Sequence, residues 1–325
     1  MVYDILIVGA GPGGLTAGMY GSRAKLSTAI IEKGKAGGQA ATTTEMENYP
    51  GFFRETTGPG VMGEFEAHAK QFGTVFLKGN VTEVSLEGEV KSVTTSAGET
   101  YQARAIILAP GAEPRTIGVP GEGKLRGKGV SYCATCDADF FEELDVVVIG
   151  SGDAAIEEAM YLTKFVESVT IVVIHDEGIL DCNKRSAQKA FENSKFKWVW
   201  NSTVEEIQGD EMVEGVLVKN IRTGEKRVLE VNGVFVFIGA QPKTDFLKGK
   251  ITLDEWGYIP TSEKMETNIA GVYAVGDARA KYLRQVVTAA ADGAIAACAA
   301  EKFLEGHVEG RLTREDIENL TKGAK

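Results

Sequence analysis

Two cysteines separated by two residues stand next to an aspartate in the segment SYCATCDADFF, residues 131–141. Cys133 and Cys136 are near enough along the chain to close a small reversible disulfide. We expect the pair to open a helix, whose terminal N–H groups would lower the pKa of a thiolate. Asp137 follows directly and can give a proton to a leaving thiolate or take one from it. These residue types at this spacing predict thiol–disulfide exchange.

The same cysteine pair could instead form half of a zinc site, which would need two further ligands. The remaining candidates are Cys182, Cys298 and three scattered histidines, and none has the spacing of a second ligand pair. We therefore predict no metal site. Cys182 and Cys298 are expected to be unpaired, and Cys298 to be a small apolar residue in an Ala-rich helix.

A glycine-rich turn near the N-terminus predicts a dinucleotide site. In DILIVGAGPGGLTAGMY, residues 4–20, a GxGxxG motif follows an apolar strand and precedes a helix. Such glycines allow a tight turn, let a pyrophosphate approach the backbone and let the helix pack closely, so that helix N–H groups face the phosphates. An acid at the end of the next strand can accept hydrogen bonds from a ribose 2′-OH. The predicted residues are Gly9, Gly11, Pro12, Gly14 and Glu32.

A second motif late in the chain indicates a long cofactor. TNIAGVYAVGDARAKYLRQVVTAAADG, residues 267–293, places Gly276 and Asp277 after an apolar strand and before an Ala-rich helix. An acid there can bind the ribityl or phosphate region of a cofactor, while the helix N-terminus faces an isoalloxazine ring. Together with the GxGxxG motif and Glu32, this motif resembles the two-part FAD signature of the flavin disulfide reductases. Because the two motifs are distant in sequence and agree, the resemblance implies FAD as the cofactor.

The strand, glycine turn and helix recur in DVVVIGSGDAAIEEAMYL, residues 145–162. Each half also ends on a similar strand and turn, AIILAPGAEPRT at 105–116 and GVFVFIGAQPKT at 233–244. We interpret this as an internal duplication that gives two Rossmann-like βαβ folds. Between the motifs, residues 81–103 alternate apolar and polar side chains around glycine-containing turns, which predicts a small antiparallel sheet.

The predicted fold class is α/β, with two three-layer, Rossmann-like nucleotide-binding domains, the second inserted into the first. The FAD-binding domain is expected to comprise 1–114 and 245–325. The second nucleotide-fold domain, which carries the CxxC pair, is expected to comprise 115–244.

The composition limits the class of partner. The formal charge is -11 over 325 residues, which argues against nucleic acid or an anionic membrane as the main partner. The chain enters a strand at once, without the pattern of a signal peptide. Its longest apolar stretch, around 286–300, is interrupted by Asp292 and is too weak to span a bilayer. We expect a soluble, cytoplasmic protein.

These motifs together resemble the low-molecular-weight thioredoxin reductases, over essentially the whole chain. The resemblance is carried by CATCD inside the second nucleotide fold, GGQ at 37–39, TTTEMENYPGF at 42–52 and the GD and RQ pairs within 276–285. It implies thioredoxin as the electron acceptor, a homodimer, and two domains that swivel so that the flavin alternately meets the dithiol and the reductant.

The resemblance also assigns residue roles. It implies that Cys136 lies against the flavin, that Cys133 attacks the disulfide of thioredoxin and that Asp137 handles the proton. It further implies flavin contacts from Gly38, Gln39, Asn48, Arg284 and Gln285. On the adenine side of the cofactor, it implies a backbone contact near Val81.

The second nucleotide fold departs from this family. In the family, a glycine loop and then a basic cluster, HRR followed by another Arg, bind NADPH and its 2′-phosphate. This chain keeps a loop, GSGDAA at 150–155, but continues with His175, Asp176 and Glu177. Carboxylates repel a phosphate, whereas bidentate Arg–phosphate pairs are strong. Having carboxylates in place of the two arginines should cost several kcal/mol of NADPH binding, on the order of 10³-fold or more in affinity. NADPH is therefore not expected to be the physiological donor.

Three donors or reaction directions remain open. The first is reduced ferredoxin, as in the ferredoxin-dependent flavin thioredoxin reductases of anaerobic bacteria, which share this fold and CxxC but lack the nicotinamide motifs. The second is NADH, because an acid such as Asp176 can bind an unphosphorylated ribose. The third is a dithiol oxidase that passes electrons to oxygen, although those enzymes often carry His after the second cysteine, where this chain has Asp137. Residual NADPH use is a further alternative, since the glycine loop could still hold a pyrophosphate.

We predict ferredoxin as the donor. Transfer of two electrons from a plant-type ferredoxin near ~-400 mV to thioredoxin near ~-270 mV releases roughly 6 kcal/mol. Because ferredoxins are usually acidic, docking on this acidic protein would need a local basic patch. The densest basic run in the second domain is Lys184, Arg185, Lys189, Lys195 and Lys197, and its alternative interpretation is a solvated helix face.

Overall fold

The computed structural model describes residues 1–43, 46, 48–52 and 57–306. Positions 44, 45 and 47 of the predicted segment 42–52 lie outside the described residues. The chain divides into two compact units. The first unit is Met1–Glu113 together with the chain from Gln241 onward, and the second unit is Pro114–Ala240.

Strands and helices alternate along both units. In chain order they are β1 Val2–Val8, α1 Pro12–Arg23, β2 Thr28–Glu32, α2 Gly58–Gln71, β3 Val75–Lys78, β4 Val81–Ser85, β5 Lys91–Thr95, β6 Thr100–Leu108, β7 Ala112–Pro114, β8 Val130–Ser131, α3 Ala134–Asp137, β9 Asp145–Ile149, α4 Asp153–Leu162, β10 Ser168–Val172, α5 Lys184–Glu192, β11 Phe196–Val199, β12 Ser202–Gln208, β13 Gly215–Asn220, β14 Lys226–Glu230, β15 Gly233–Val236, β16 Ala240–Pro242, β17 Val272–Ala274 and α6 Val286–Leu304. Short 3₁₀ turns occupy Gly38–Thr42, Ala138–Phe141, Asp245–Leu247 and Gly276–Ala278.

The first unit is built on a seven-stranded sheet of order β3-β2-β1-β6-β5-β4, in which β17 also pairs with β6. The strands that neighbour β1 run parallel to it, as expected for a βαβ fold. The pairs β4 with β5 and β5 with β6 are antiparallel, so the segment predicted to form an antiparallel sheet extends the parallel one instead of standing alone.

Strand β1 shows why this sheet is buried on both faces. Successive side chains of a strand point to opposite faces, and all of Ile5 to Val8 are apolar. Ile5 and Ile7 pack in the cluster that includes Leu15 of α1 and Ala296 of α6, whereas Leu6 and Val8 pack in the cluster of the opposite face. Continuous apolar strands of this kind are typical of parallel sheets covered on both sides.

The second unit has a parallel five-stranded sheet of order β11-β10-β9-β15-β8 and a separate antiparallel sheet β12-β13-β14. Val146 and Val148 of β9 belong to the core that contains Ile156 of α4, and Val147 belongs to the core that contains Val216 of β13. The α/β class and the two Rossmann-like folds predicted from the sequence are therefore confirmed. The connecting strands β7 and β16 pair with each other.

The three tryptophans of the chain lie in different surroundings. Trp198 and Trp200, at β11 and just beyond it, stack with ring centroids 4.9 Å apart and planes inclined by 8°. Trp256 belongs to the first unit and is 60% exposed.

Within the part of the chain that the structure describes, no helix combines the length and apolarity required to cross a membrane.

Candidate functional site

The two cysteines of the CxxC segment are joined to each other. Cys133 and Cys136 form a disulfide, with their Cα atoms 5.3 Å apart. Cys133 is the residue that precedes α3, and the Cys136 N–H donates to the Cys133 carbonyl at 3.3 Å. The predicted redox pair is thus present as a closed disulfide on one helical turn. Cys182 and Cys298 are free thiols, as predicted.

Asp137 is held beside this disulfide by a residue that sequence analysis missed. The hydroxyl of Ser131, a buried residue at the end of β8, donates to Asp137 Oδ2 at 2.6 Å and accepts from the Cys133 N–H at 3.1 Å. Burial raises the pKa of Asp137, the Ser131 hydrogen bond opposes that rise, and the charge of Asp139 adds to it. The net result is a carboxyl that keeps its proton to higher pH than an exposed aspartate, as a proton donor requires.

The start of α3 differs from the prediction. Glu158, on α4, accepts a hydrogen bond from the Ala134 N–H at 3.0 Å through its Oε2 atom. The N–H that was expected to stabilise a thiolate is therefore bound to a carboxylate. Burial raises the pKa of Glu158, although its hydrogen bonds to the backbone of Ala134 and Thr135 oppose this. No local spacing in the sequence connects Glu158 with the dithiol.

The N-terminal glycine turn has the geometry of a dinucleotide loop. Gly9 has φ +104, and a Cβ there would lie 2.2 Å from the Ala109 carbonyl oxygen, so only glycine fits. A Cβ on Gly14 would lie 2.0 Å from the Gly9 carbonyl oxygen, because α1 packs directly on the turn. A Cβ on Gly11 would meet nothing within 4 Å, which leaves the backbone open to a ligand. Pro12 is the first residue of α1.

Glu32 lies beside this loop at the end of β2. Its Oε2 atom accepts from the Ala10 N–H at 2.8 Å and its Oε1 atom accepts from the Gly34 N–H at 2.9 Å. Each carboxylate oxygen can accept a further hydrogen bond. Glu32 is thus fixed where sequence analysis placed a ribose acceptor.

The late motif packs against the same loop. A Cβ on Gly13 would lie 3.1 Å from both the Ala289 carbonyl oxygen and a Val275 methyl group, so α1, α6 and the Gly276 turn lie in close contact. Asp277 carries a buried Oδ1 atom for which the described residues supply no hydrogen-bond partner. Burial raises the pKa of Asp277, although Lys281 and Arg284 oppose this.

Asp292 of α6, which sequence analysis treated only as an interruption in an apolar stretch, anchors this turn. Its Oδ2 atom accepts from the Gly276 N–H at 3.0 Å and from Lys281 Nζ at 2.7 Å. Its Oδ1 atom accepts from Arg279 at 2.9 Å. The side chains of Asp292 and Lys281 are each only 7% exposed, so this is a buried ionic cluster.

Two predicted flavin residues from distant segments meet each other. The amide of Asn48 donates to Gln285 Oε1 at 3.1 Å, although 237 residues separate them. Gln285 also caps the N-terminus of α6. The guanidinium of Arg284 lies 4.2 Å from the Tyr258 ring centroid, and its Nε atom is 3.5 Å from the Asp277 carbonyl oxygen.

The other predicted flavin residues are placed as follows. Gly38 and Gln39 begin the 3₁₀ turn Gly38–Thr42, and a Cβ on Gly38 would lie 3.2 Å from the Gly11 Cα atom. The Gln39 amide donates to Glu113 at 3.4 Å. Val81 is the first residue of β4.

These residues fit FAD. Asp277 Oδ1 is buried and has no hydrogen-bond partner among the described residues, which matches a ligand that supplies a hydroxyl or another donor, since buried oxygens are nearly always hydrogen-bonded. The open face of Gly11, before a helix N-terminus, matches a pyrophosphate.

The second glycine turn resembles the first in backbone but not in charge. Gly150 has φ +129, and a Cβ there would lie 2.3 Å from the Phe237 carbonyl oxygen, whereas a Cβ on Gly152 would meet nothing within 4 Å. The first residue of the following helix, α4, is Asp153, where α1 has Pro12. A carboxylate therefore stands at the helix end that normally faces phosphate.

The acidic residues after β10 are partly neutralised by a residue that sequence analysis missed. Arg222, in the turn after β13, forms an ion pair with Asp176, and its Nε atom donates to Asn201 at 2.8 Å. Glu177 forms no ion pair with any described residue, so its charge stays uncompensated within that part of the chain.

Asp181 joins the strand end to the glycine loop. Its Oδ2 atom accepts from the Ser151 hydroxyl at 2.9 Å and lies 2.7 Å from His175 Nε2. The His175 hydrogen bond holds the pKa of Asp181 below its ordinary value, with a further contribution from Ser151. Sequence analysis did not single out Asp181.

The predicted basic run divides into two parts. Lys184, Arg185 and Lys189 are exposed on α5. Lys195 donates to the Val166 carbonyl at 2.6 Å, and Lys197 lies 3.6 Å from Asp145. Within the described residues, the side chains of Lys184, Arg185 and Lys189 form no ion pair or hydrogen bond, in contrast to those of Lys195 and Lys197.

Comparisons with known proteins agree with this arrangement. Residues 3–293 match the family model described as pyridine nucleotide-disulphide oxidoreductase. A thioredoxin reductase of Peptoclostridium acidaminophilum is 52% identical over 314 residues, which cover 95% of this chain and 99% of that protein. A thioredoxin reductase of Listeria monocytogenes is 46% identical over 94% of each chain. The crystal structure of thioredoxin reductase from Streptococcus pyogenes superposes with a TM-score of 0.89 at 42% identity, covering 94% of this chain and 99% of that one.

Proposed function

Because the chain belongs to the pyridine nucleotide-disulphide oxidoreductase family, we propose that it is a thioredoxin reductase that draws its electrons from reduced ferredoxin. The cofactor is FAD, since these homologues are FAD-binding flavoproteins. The observation that carries thioredoxin reduction is the closed Cys133–Cys136 disulfide beside an aspartate held by a buried serine.

FAD, when bound, supplies the ability to collect single electrons and deliver them as a pair. The Cys133–Cys136 disulfide takes up two electrons and two protons and becomes a dithiol. The Cys133 thiolate attacks one sulfur of the thioredoxin disulfide, which breaks that bond and forms a mixed disulfide. The thioredoxin thiolate that leaves takes a proton, which Asp137 is placed to supply. The Cys136 thiolate then attacks the Cys133 sulfur, re-forming the intramolecular disulfide and releasing the second thioredoxin thiol.

The donor proposal depends on charge in the second nucleotide fold. The residues around its strand end and glycine loop include four carboxylates, at Asp153, Asp176, Glu177 and Asp181, and Arg222 forms an ion pair with one of them, Asp176. A 2′-phosphate brought there would meet net repulsion. NADH is disfavoured for a different reason: Asp176, the acid expected to bind its ribose, already pairs with Arg222.

The direct test is an anaerobic titration of the purified flavoprotein. NADPH, NADH and photoreduced ferredoxin are added separately, and bleaching of the visible flavin band is followed. Ferredoxin should bleach the flavin stoichiometrically, and the bleached protein should reduce thioredoxin. Rapid stoichiometric bleaching by NADPH would refute the donor proposal, and bleaching by NADH alone would replace ferredoxin with NADH. Oxygen uptake driven by small dithiols, without thioredoxin turnover, would refute the direction of electron flow.

The exposed basic residues of α5 support a docking site for an acidic donor. Replacing Lys184 and Arg185 with Glu should slow flavin reduction by ferredoxin at low ionic strength, and salt should reduce the difference. The matched control reverses Lys248, which pairs with Asp245 on the surface of the first unit. Equal rates for the α5 variant and the parent would remove this docking site from the proposal.

The proposal includes a homodimer, as the resemblance implies. Sedimentation equilibrium should give twice the mass of one chain, and a measured mass equal to one chain would refute the homodimer.

A further inference from the structure

We propose that Asp181 and Asp153 close the second nucleotide fold to dinucleotides, by placing this chain's own carboxylates where a ribose and a pyrophosphate would bind. The inference deepens the proposed choice of donor and rests on that proposal for its biological meaning. It goes further, because it concerns nicotinamide coenzymes with and without a 2′-phosphate.

The position of Asp181 carries the inference. In a Rossmann fold, the adenosine ribose lies between the glycine loop and the end of the second strand. Here the loop is 150–155 and the second strand is β10. The Asp181 carboxylate spans that interval, since one of its oxygens lies 2.9 Å from the Ser151 hydroxyl and 2.7 Å from His175 Nε2.

The backbone of the same segment is attached to the loop. The Asp181 N–H donates to the Ser151 carbonyl at 3.0 Å, and Asp181 forms a parallel β-bridge with Gly152. Two residues later, the backbone and side-chain N–H groups of Asn183 both donate to Asp153 Oδ1 at 2.7 Å. These contacts hold 181–183 along the loop, so Asp181 is not a freely moving surface side chain.

Asp153 completes the closure at the pyrophosphate position. As the first residue of α4, it gives the positive end of the helix a carboxylate of its own. A Cβ on Gly152 would meet nothing within 4 Å, so on that side of the loop the closure is electrostatic and not steric. A pyrophosphate would have to bind beside this carboxylate, and the coenzyme's ribose would have to displace Asp181.

The test measures binding and not turnover. Isothermal titration of the oxidised holoenzyme with NAD⁺ and NADP⁺ avoids reduction of the flavin. The parent should show no saturable binding of either up to millimolar concentration. The variant with Asp181→Ala and Asp153→Ser should bind NAD⁺ at least about tenfold more tightly than the parent, equivalent to about 1.4 kcal/mol. NADP⁺ should stay weak, because Asp176 and Glu177 remain.

Asp210→Asn is the matched control, since it removes a carboxylate from the same unit at the exposed ion pair with Lys124. It should leave NAD⁺ binding as weak as in the parent. Circular dichroism and flavin content verify that each variant is folded. Because Asp181 and Asp153 are exposed at the surface, the single variant Asp181→Ala provides a second, milder test.

Two results would overturn the inference: micromolar binding of either coenzyme to the parent, or NAD⁺ binding in both variants that stays as weak as in the parent. These outcomes are separable from failure of the donor proposal, because the ferredoxin titration is made on the parent and does not involve the variants.

Discussion

Removing the charge of Asp292 offers a sharp test of how the flavin-side turn is held. Asp292→Asn keeps the shape of the side chain but removes the anion shared by Arg279 and Lys281, whose side chains are 14% and 7% exposed. Hydrogen bonds to charged groups contribute about 1.5–3 kcal/mol each, so losing the ionic character of two costs about 3–6 kcal/mol. The cost of removing one partner from a buried ion pair, about 3–5 kcal/mol, gives a similar range. We expect the free energy of unfolding to fall by about 3–5 kcal/mol.

The measurement is urea unfolding of the holoenzyme, followed by the release of flavin fluorescence, which reports on the first unit. Asp245→Asn is the control, because it makes the same chemical change at an ion pair whose side chains are 69% and 70% exposed. Exposed ion pairs contribute about 0–1 kcal/mol, so Asp245→Asn should change the free energy of unfolding very little. If Asp292→Asn costs no more than Asp245→Asn, the buried cluster does not stabilise the turn.

The pH dependence of the Asp292 variant gives an independent check. Burial already lowers the pKa of Lys281, and Asp292 opposes that lowering. Without the carboxylate, the pKa of Lys281 in the folded state should fall further, while the unfolded state keeps the ordinary lysine value. In the interval between these values the unfolded state binds more protons, so stability rises with pH. The difference in the free energy of unfolding between the parent and the variant should therefore shrink as the pH is raised towards the ordinary lysine pKa.

Three further predictions concern the dithiol. Cys136→Ser should abolish thioredoxin turnover while FAD stays bound, because Cys133 can form a mixed disulfide that nothing resolves; the trapped species is visible on a non-reducing gel, and full turnover would disprove the mechanism. Ser131→Ala removes a hydrogen bond that favours ionised Asp137, so the pKa of Asp137 should rise. The alkaline limb of single-turnover thioredoxin reduction should accordingly move to higher pH, and Ser131→Thr should restore it; an unmoved limb in Ser131→Ala would count against Asp137 as the proton donor. Glu158→Gln should speed alkylation of the reduced dithiol about two- to fivefold near neutral pH, since a charge at a helix end contributes about 0.3–1 kcal/mol; an unchanged rate would show that Glu158 does not influence the thiolate.

The sequence predicted those parts of the site that lie close together along the chain or follow a strand. Cys133, Cys136 and Asp137 share one turn, so their proximity follows from spacing alone. Glu32 is the last residue of β2 and Asp277 comes shortly after β17, and the carboxyl ends of parallel strands share an edge of the sheet. The α/β class followed from the repeated strand, turn and helix.

The residues that were missed reach the site through packing between elements. Glu158 contacts the dithiol turn only because α3 lies against α4, and Arg222 reaches Asp176 from a turn of the antiparallel sheet. The expectation that the start of α3 would stabilise a thiolate did not allow for Glu158, because helix geometry predicts which N–H groups are unpaired but not which side chain binds them. Ser131 was recoverable in principle, since it lies two residues before Cys133, but serine alone carries little signal.

The arrangement of the tryptophans gives each unit its own optical signal. Two indole rings stacked as closely as Trp198 and Trp200 couple their electronic transitions, which should give the second unit a near-ultraviolet dichroic band that vanishes when β11 unfolds. Trp256 is water-exposed and should emit at longer wavelength from the first unit. Melting of the two halves can therefore be recorded separately on one sample, without an added dye.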